Sequence, residues 1–266
     1  MCLIALAWRV HPQCPLVLIA NRDEFHARPT AAAGIDPDAA EVFGGRDLVQ
    51  GGSWLQVSAH RRLAAVTNVR AGRSPPEAAP RSRGALVRDA VRGQSDAAQS
   101  LRALQATAHE YGRFNLLLWD GDALGFASNH PRTDTHTVQP GLHAMSNGAF
   151  DADWPKSGRA LQALSRWLAS SAIDAVARDA ADALSPLFDA LRDDTPAPDV
   201  ALPDTGVGLD LERALSPPFV SGARYGTRCS TVVIVGADGF RFAERRFGPD
   251  GVLTGNTCVR RHWSAD

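Results

Sequence analysis

The sequence predicts an α+β fold of antiparallel sheets with helices packed outside them, and two observations carry that prediction. Apolar runs with the length and composition of strands come in consecutive groups, and the helical patterns are grouped between them. No Gly-x-Gly-x-x-Gly follows a strand and no Gly-x-x-x-x-Gly-Lys-[Ser/Thr] occurs, so the nucleotide-binding signatures of a wound βαβ fold are absent.

The chain opens on apolar runs at 2–8 and 16–20. The segment His11-Pro12-Gln13-Cys14-Pro15 between them supplies turn chemistry, so the first twenty residues read as a β-hairpin. Asn21-Arg22-Asp23-Glu24 ends it. Residues 28–52, rich in Ala, Pro, Asp and Gly, are expected to be irregular. Strands follow at 53–58 and 62–69, then a turn-rich linker at 73–80. Helical patterns over 83–92 and 95–109 put Leu86, Val87, Val91, Leu101 and Leu104 on apolar faces. Strands resume at 114–119, 123–128 and 135–145, and helices are expected over 155–169 and 173–191. The acidic, proline-rich stretch 192–204 reads as a loop. Two last strands, 229–235 and 239–247, are joined by Ala237-Asp238-Gly239.

With 266 residues, 44% of them hydrophobic, the chain can bury a core without disulfides or a structural metal. A net charge of −1 argues against nucleic acid or an anionic membrane as the main partner. Lys156 is the only lysine; with the abundant alanine, this reads as the mark of a GC-rich genome. Cys2, Cys14, Cys229 and Cys258 form no Cys-x-x-Cys pair, zinc spacing or haem-attachment motif, so a reduced, cytoplasmic protein with no metal is expected. The apolar start lacks a basic n-region and is broken by Arg9, His11, Pro12 and Pro15, unlike a signal peptide. No run approaches the roughly 18 apolar residues of a membrane span.

Cys2 bears chemistry most directly. Removal of Met1, expected before so small a side chain, leaves Cys2 with a thiol and a free α-amine. That amine has a reference pKa of about 7.7–8, close enough to neutrality to act as a base. A thiol beside it is a weak nucleophile until deprotonated. The plainer account is a cysteine that packs as a small apolar side chain. Several strand ends finish in polar residues: Asn21-Arg22-Asp23-Glu24, Thr67-Asn68, Ser146-Asn147 and Arg228-Cys229-Ser230. Taken singly, these are turn formers where turns belong. Together, an N-terminal thiol, two arginines, a carboxylate and two amides are what acyl transfer needs. The thiolate attacks a carbonyl, the amine moves protons, and amide N–H groups stabilise the oxyanion. An arginine and an aspartate orient the amine and tune its pKa.

A resemblance rests on the same residues. Met1-Cys2-Leu3-Ile4, Asn21-Arg22-Asp23-Glu24 with Arg28-Pro29-Thr30, and Gly44-Gly45-Arg46-Asp47 resemble the NRDE family, that of transport and Golgi organisation protein 2. So do Gly51-Gly52-Ser53-Trp54-Leu55, Thr67-Asn68-Val69-Arg70, Ser146-Asn147 and Tyr225-Gly226-Thr227-Arg228-Cys229-Ser230-Thr231, in that order. The resemblance implies a single domain over 1–266. Its fold would be a four-layer αββα sandwich of two antiparallel sheets flanked by helices. This is the outline of the N-terminal nucleophile (Ntn) hydrolases of the choloylglycine hydrolase and penicillin acyltransferase kind. It implies Cys2 as nucleophile, Arg22 and Asp23 as partners of its amine, Asn68 and Asn147 near the oxyanion, and Arg228 beside the nucleophile. Glu24 is open to the role given to Asp23, and Cys229 stands where many members have serine.

Two functions of different class follow. One is an amidohydrolase or acyltransferase acting through Cys2 on a small amide, ester or thioester, with no cofactor. The other is a non-catalytic carrier of a hydrophobic anion such as haem. For that role Cys2, His11, His26, His60, His130, His136 and His143 are the ligands on offer, with arginines for the propionates. An inactive scaffold that keeps these residues for packing is the third reading.

Overall fold

The computed structural model describes residues 2–72, 79–173 and 182–264. In chain order the strands are β1 (Cys2–His11), β2 (Cys14–Phe25), β3 (Thr30–Asp36), β4 (Ala39–Asp47), β5 (Leu55–Ser58), β6 (Arg62–Asn68), β7 (Phe114–Trp119), β8 (Leu124–Ser128), β9 (Asp134–Thr137), β10 (Gly141–Met145), β11 (Tyr225–Val235), β12 (Gly239–Phe247) and β13 (Leu253–His262). The helices are α1 (Arg83–Arg92), α2 (Ala97–Thr107), α3 (Pro155–Leu168), α4 (Ser185–Leu191) and α5 (Leu209–Ala214). They divide into two compact units. The first takes the described residues of Met1–Ala27, Ala71–Arg73 and Pro140–Val259; the second takes those of Arg28–Arg70, Ser74–Gln139 and Arg260–Asp266.

The first unit is built on a six-stranded sheet in the order β10-β1-β2-β11-β12-β13. Pairing is antiparallel from β10 through β12. β1 and β2 are nearly continuous apolar runs rather than alternating ones, as burial on both faces requires. One face presents Leu3, Ala5, Val17, Ile19, Val232 and Ile234 to α3 and α4, which answer with Ala160, Leu164, Trp167, Leu187 and Leu191. Pro155 starts α3 at a position where a missing amide costs nothing.

The second unit holds a seven-stranded sheet in sequence order, β3 through β9, an antiparallel meander. α1 and α2 cover one face, setting Leu86, Val87, Val91, Leu101 and Leu104 against Val42, Ala64, Val66, Leu116 and Leu118. A reciprocal capping box between Asp96 and Gln99 fixes the start of α2. Several motif residues serve this unit's packing. Arg28 grips Asp47 with Nε at 3.2 Å and Nη2 at 2.5 Å. A Cβ on Gly45 would fall 2.1 Å from the Trp54 ring, and one on Gly52 would fall 2.4 Å from the Gly84 carbonyl carbon. The fold is therefore α+β, two antiparallel sheets each carrying helices on one face.

Three expectations need correction. Residues 28–52 are not irregular but contain β3 and β4. Their Ala-Gly composition lacks the β-branched signal, yet backbone pairing needs no such side chains. The run 135–145 is two strands, β9 and β10, in different sheets, separated where Pro140 supplies no amide donor. The terminal strands number three, because β13 follows β12, and the short helix α5 precedes β11. Of the helix expected over 173–191, residues 174–181 lie outside the described residues, as do 73–78 of the linker; residues 182–184 form a turn, and α4 starts after it at Ser185.

Candidate functional site

The register of three strands assembles the site. Cys2 pairs with Arg22 across β1 and β2, and Arg22 pairs with Cys229 across β2 and β11. Directly paired residues share a face, so the two thiols flank one arginine. They stand two strand spacings apart, about 9–10 Å, beyond the roughly 7 Å over which a disulfide can close. Thr227 pairs with Asp23, leaving Arg228 as the extra residue of a bulge between Thr227 and Cys229. Such a bulge re-aims a side chain. Here it lets Arg228 Nη1 donate to the Phe25 carbonyl at 2.9 Å. Burial first, and then the Arg22 charge, hold the Arg228 pKa below the ordinary arginine value.

Each residue of Asn21-Arg22-Asp23-Glu24 has a distinct environment. The Asn21 amide donates to the carbonyls of Leu191 (2.7 Å) and Pro218 (2.8 Å) and accepts from Ser230 Oγ (2.6 Å), tying β2 to the helical layer. Arg22 is buried and lies 3.8 Å from Glu24, whose Oε1 accepts from the Phe25 amide. Asp23 is buried and accepts from Thr227 Oγ1 at 2.7 Å, while its carbonyl accepts from the Tyr225 hydroxyl at 3.2 Å. Burial pushes the Asp23 carboxyl up; the positive chain terminus, Lys156, the Thr227 bond and Arg22 pull against it. The Cys2 thiol is also raised, by burial first and by the Asp23 charge, with the positive chain terminus, Arg22 and the Asp23 backbone N–H favouring the thiolate. Cys229 is raised further, by burial and by Glu244.

Asn147 arrives through β10. Met145 pairs with Ile4, and Ser146 Oγ donates to the Cys2 carbonyl at 2.8 Å, placing the fully buried Asn147 next to the start of β1. Five of the six expected site residues, Cys2, Arg22, Asp23, Asn147 and Arg228, thus belong to the first unit. Asn68 belongs to the second, half-buried at the end of β6 and paired with Phe114.

One residue was hidden from the sequence reading. Lys156 is 2% exposed, donates to the Leu215 carbonyl at 3.2 Å and lies 5.9 Å from the centre of the Trp154 ring. Its signal was available: a single lysine placed in the first turn of a helix opposes the helix dipole. Reading it as genome composition concealed it. The histidines are spread over both units. His26 lies 3.1 Å from the Gly222 carbonyl, and His143 lies 2.7 Å from Asp151. Among the described residues, no three His, Cys, Asp or Glu side chains are gathered as a metal ion would require, and no helix is long and apolar enough to cross a membrane.

Residues 1–249 match the family model described as Transport and Golgi organisation 2. The chain belongs to this family. Relatives in the Transport and Golgi organisation 2 family include the mouse homolog, 30% identical over 242 residues, and the human homolog, 32% identical over 247. Each match covers 86% of both chains. Among solved structures, the fold is similar to that of the Caenorhabditis elegans N-acylethanolamine-hydrolyzing acid amidase ortholog, with a TM-score of 0.51. That match covers 87% of this chain and 92% of the other at 9% sequence identity, so it is a likeness of fold alone.

Proposed function

We propose that this chain is an Ntn-type amidohydrolase or acyltransferase acting through Cys2 on a small amide, ester or thioester. The observation that supports it is the row of a half-buried Cys2 and the buried Arg22 and Cys229, with Asp23, Asn147 and Arg228 set around it by strand register. Removal of Met1 is part of the proposal. The freed α-amine takes the thiol proton, and the sulfur attacks the acyl carbon while the carbonyl electrons move to oxygen. Asn147 supplies an amide donor to that oxyanion. Collapse expels the amine, alcohol or thiol, which leaves with the proton from the α-ammonium. Water or a second nucleophile then takes the acyl group from sulfur. Arg22 and the Asp23 amide counter the burial that disfavours the thiolate.

Mature protein, its N-terminus verified by intact mass, is treated with a p-nitrophenyl acyl ester. The expected product is an acyl adduct on the Cys2 peptide that disappears in Cys2→Ala. Labelling that persists unchanged in Cys2→Ala would sink the reading. A second reading, carriage of haem or another hydrophobic anion, draws on the same thiol with two guanidiniums near it, since thiolate is a haem ligand and arginine pairs with carboxylates. A Soret shift at micromolar haem, lost in Cys2→Ala, is its test; no shift in the wild type removes it.

A further inference from the structure

The first unit buries an ammonium that the proposed reaction does not use. Leu3 pairs with Asn21 and so shares its face of the sheet, and Asp23, two residues further along β2, lies on that face too. It is the face that α3 and α4 cover, as the bond from Asn21 to the Leu191 carbonyl shows. The buried side of α3 begins with Lys156 and continues through Ser157, Ala160, Leu164 and Trp167. Two opposite charges, each 2% exposed, therefore lie on one side of the sheet. An ammonium in the first turn of a helix opposes the dipole, and burying it without a counter-charge is costly. Lys156 Nζ also sits over the Trp154 ring, and that ring fills the space a Cβ on Gly148 would need, 2.5 Å away, immediately after Asn147.

We infer that Lys156 is a positioning residue of the Cys2 site: its ammonium is the side-chain counter-ion of the Asp23 carboxylate, beside the chain terminus, and through Trp154 it braces the turn that carries Asn147. This rests on the reading of Cys2 given above. The groups that act on Asp23 are the positive chain terminus, Cys2 from β1, Arg22 from its own strand, Tyr225 and Thr227 from β11, and Lys156 from α3. The chain terminus is the foremost positive charge opposing the burial of the carboxylate, and Lys156 comes next, ahead of Arg22.

The test is carried out on the mature chain with Lys156→Met, Lys156→Gln as a second neutral replacement, and Lys156→Arg. Difference infrared spectroscopy follows the protonated carboxyl stretch of Asp23, assigned by its loss in Asp23→Asn. The neutral variants are expected to move its midpoint to higher pH by about one unit or more, the size of effect an opposite charge at close range produces. Lys156→Arg returns it toward wild type. On the acid limb of Cys2 acylation, the same shift reads as about a tenfold loss at fixed pH. An unmoved midpoint in folded Lys156→Met or Lys156→Gln overturns the inference, as does a rate loss equal at every pH. If wild-type Cys2 takes no acyl group, the reading of the reaction fails while the infrared midpoint still decides the role of Lys156.

Discussion

At the scale of single residues, the four motif positions at the end of β2 do different work. Asn21 is a structural clamp with all its bonds made inside the protein, whereas Asp23 is kept where its charge is unwelcome. Burial raises the Asp23 pKa above that of the unfolded chain, so between the ordinary carboxylate value and the raised one the native state binds more protons. Stability therefore falls as pH rises through that window. Asp23→Asn keeps an acceptor for Thr227 and removes the charge. Lys156 lacks its counter-charge both in this variant and in wild type with Asp23 protonated, so the two melting temperatures should match in strong acid. Above the window, where wild-type Asp23 is ionised, that of the variant should be the higher, while acylation of Cys2 is lost. A lower melting temperature at pH 7 would mean that Asp23 is stabilising in place. Cys2 and the polar strand ends were legible because chemistry needs particular side chains at particular termini. Lys156 was not, because its meaning lies in burial, which a lone lysine in a chain does not announce.

Elements show the same division. Hairpins and amphipathic helices were legible wherever apolar periodicity marks them, as in β1, β2, α1 and α3. β3 escaped because Ala31, Ala32, Ala33 and Gly34 carry no strand preference, and β13 because Gly255 and Asn256 are residues that strands disfavour. Glycines sort by what surrounds them. Gly52 meets the backbone of Gly84 at the first turn of α1, where neither side can yield. Gly52→Ala should destabilise the protein by about 1–3 kcal/mol, the usual cost of overpacking. Gly158, exposed on α3 with nothing within 4 Å of the place a Cβ would take, is the contrast. Gly158→Ala should stabilise by about 0.5–1 kcal/mol through helix propensity. Denaturant midpoints of the two variants check both signs, and equal shifts would refute the packing argument.

For the molecule as a whole, the class of fold was legible from the grouping of strands and helices, while its division into two compact units was not. The order of strands within a sheet is set by pairing between distant segments, such as β2 with β11, and no local pattern encodes that. Response to acid is likewise a property of the whole set of carboxylates. Asp36, Asp120 and Asp193 run opposite to Asp23: burial pushes each up, but hydrogen bonds outweigh it and hold each below the ordinary value. Asp36 accepts from the Asp38 amide, Arg92 and Gln56. Asp120 accepts from the amides of Ala97, Asp122 and Ala123, joining the start of α2 to the turn between β7 and β8. For such groups the unfolded chain binds more protons, so their contribution is present above the ordinary carboxylate value and lost as pH falls through their native values. Asp199, held down first by its hydrogen bonds from Arg213, is of the same kind, so these carboxylates lose their stabilising contribution in acid while Asp23 runs the other way. Asp36→Asn separates the cause from general charge repulsion, because it keeps the shape and removes one titration. At pH 7 it should cost about 1–3 kcal/mol, the worth of hydrogen bonds to a charged acceptor. In acid, where wild-type Asp36 is itself protonated, that difference should shrink toward zero. Urea midpoints measured from neutrality down into the acid range decide it, and a gap between the two proteins that stays constant with pH would show that Asp36 acts through shape alone.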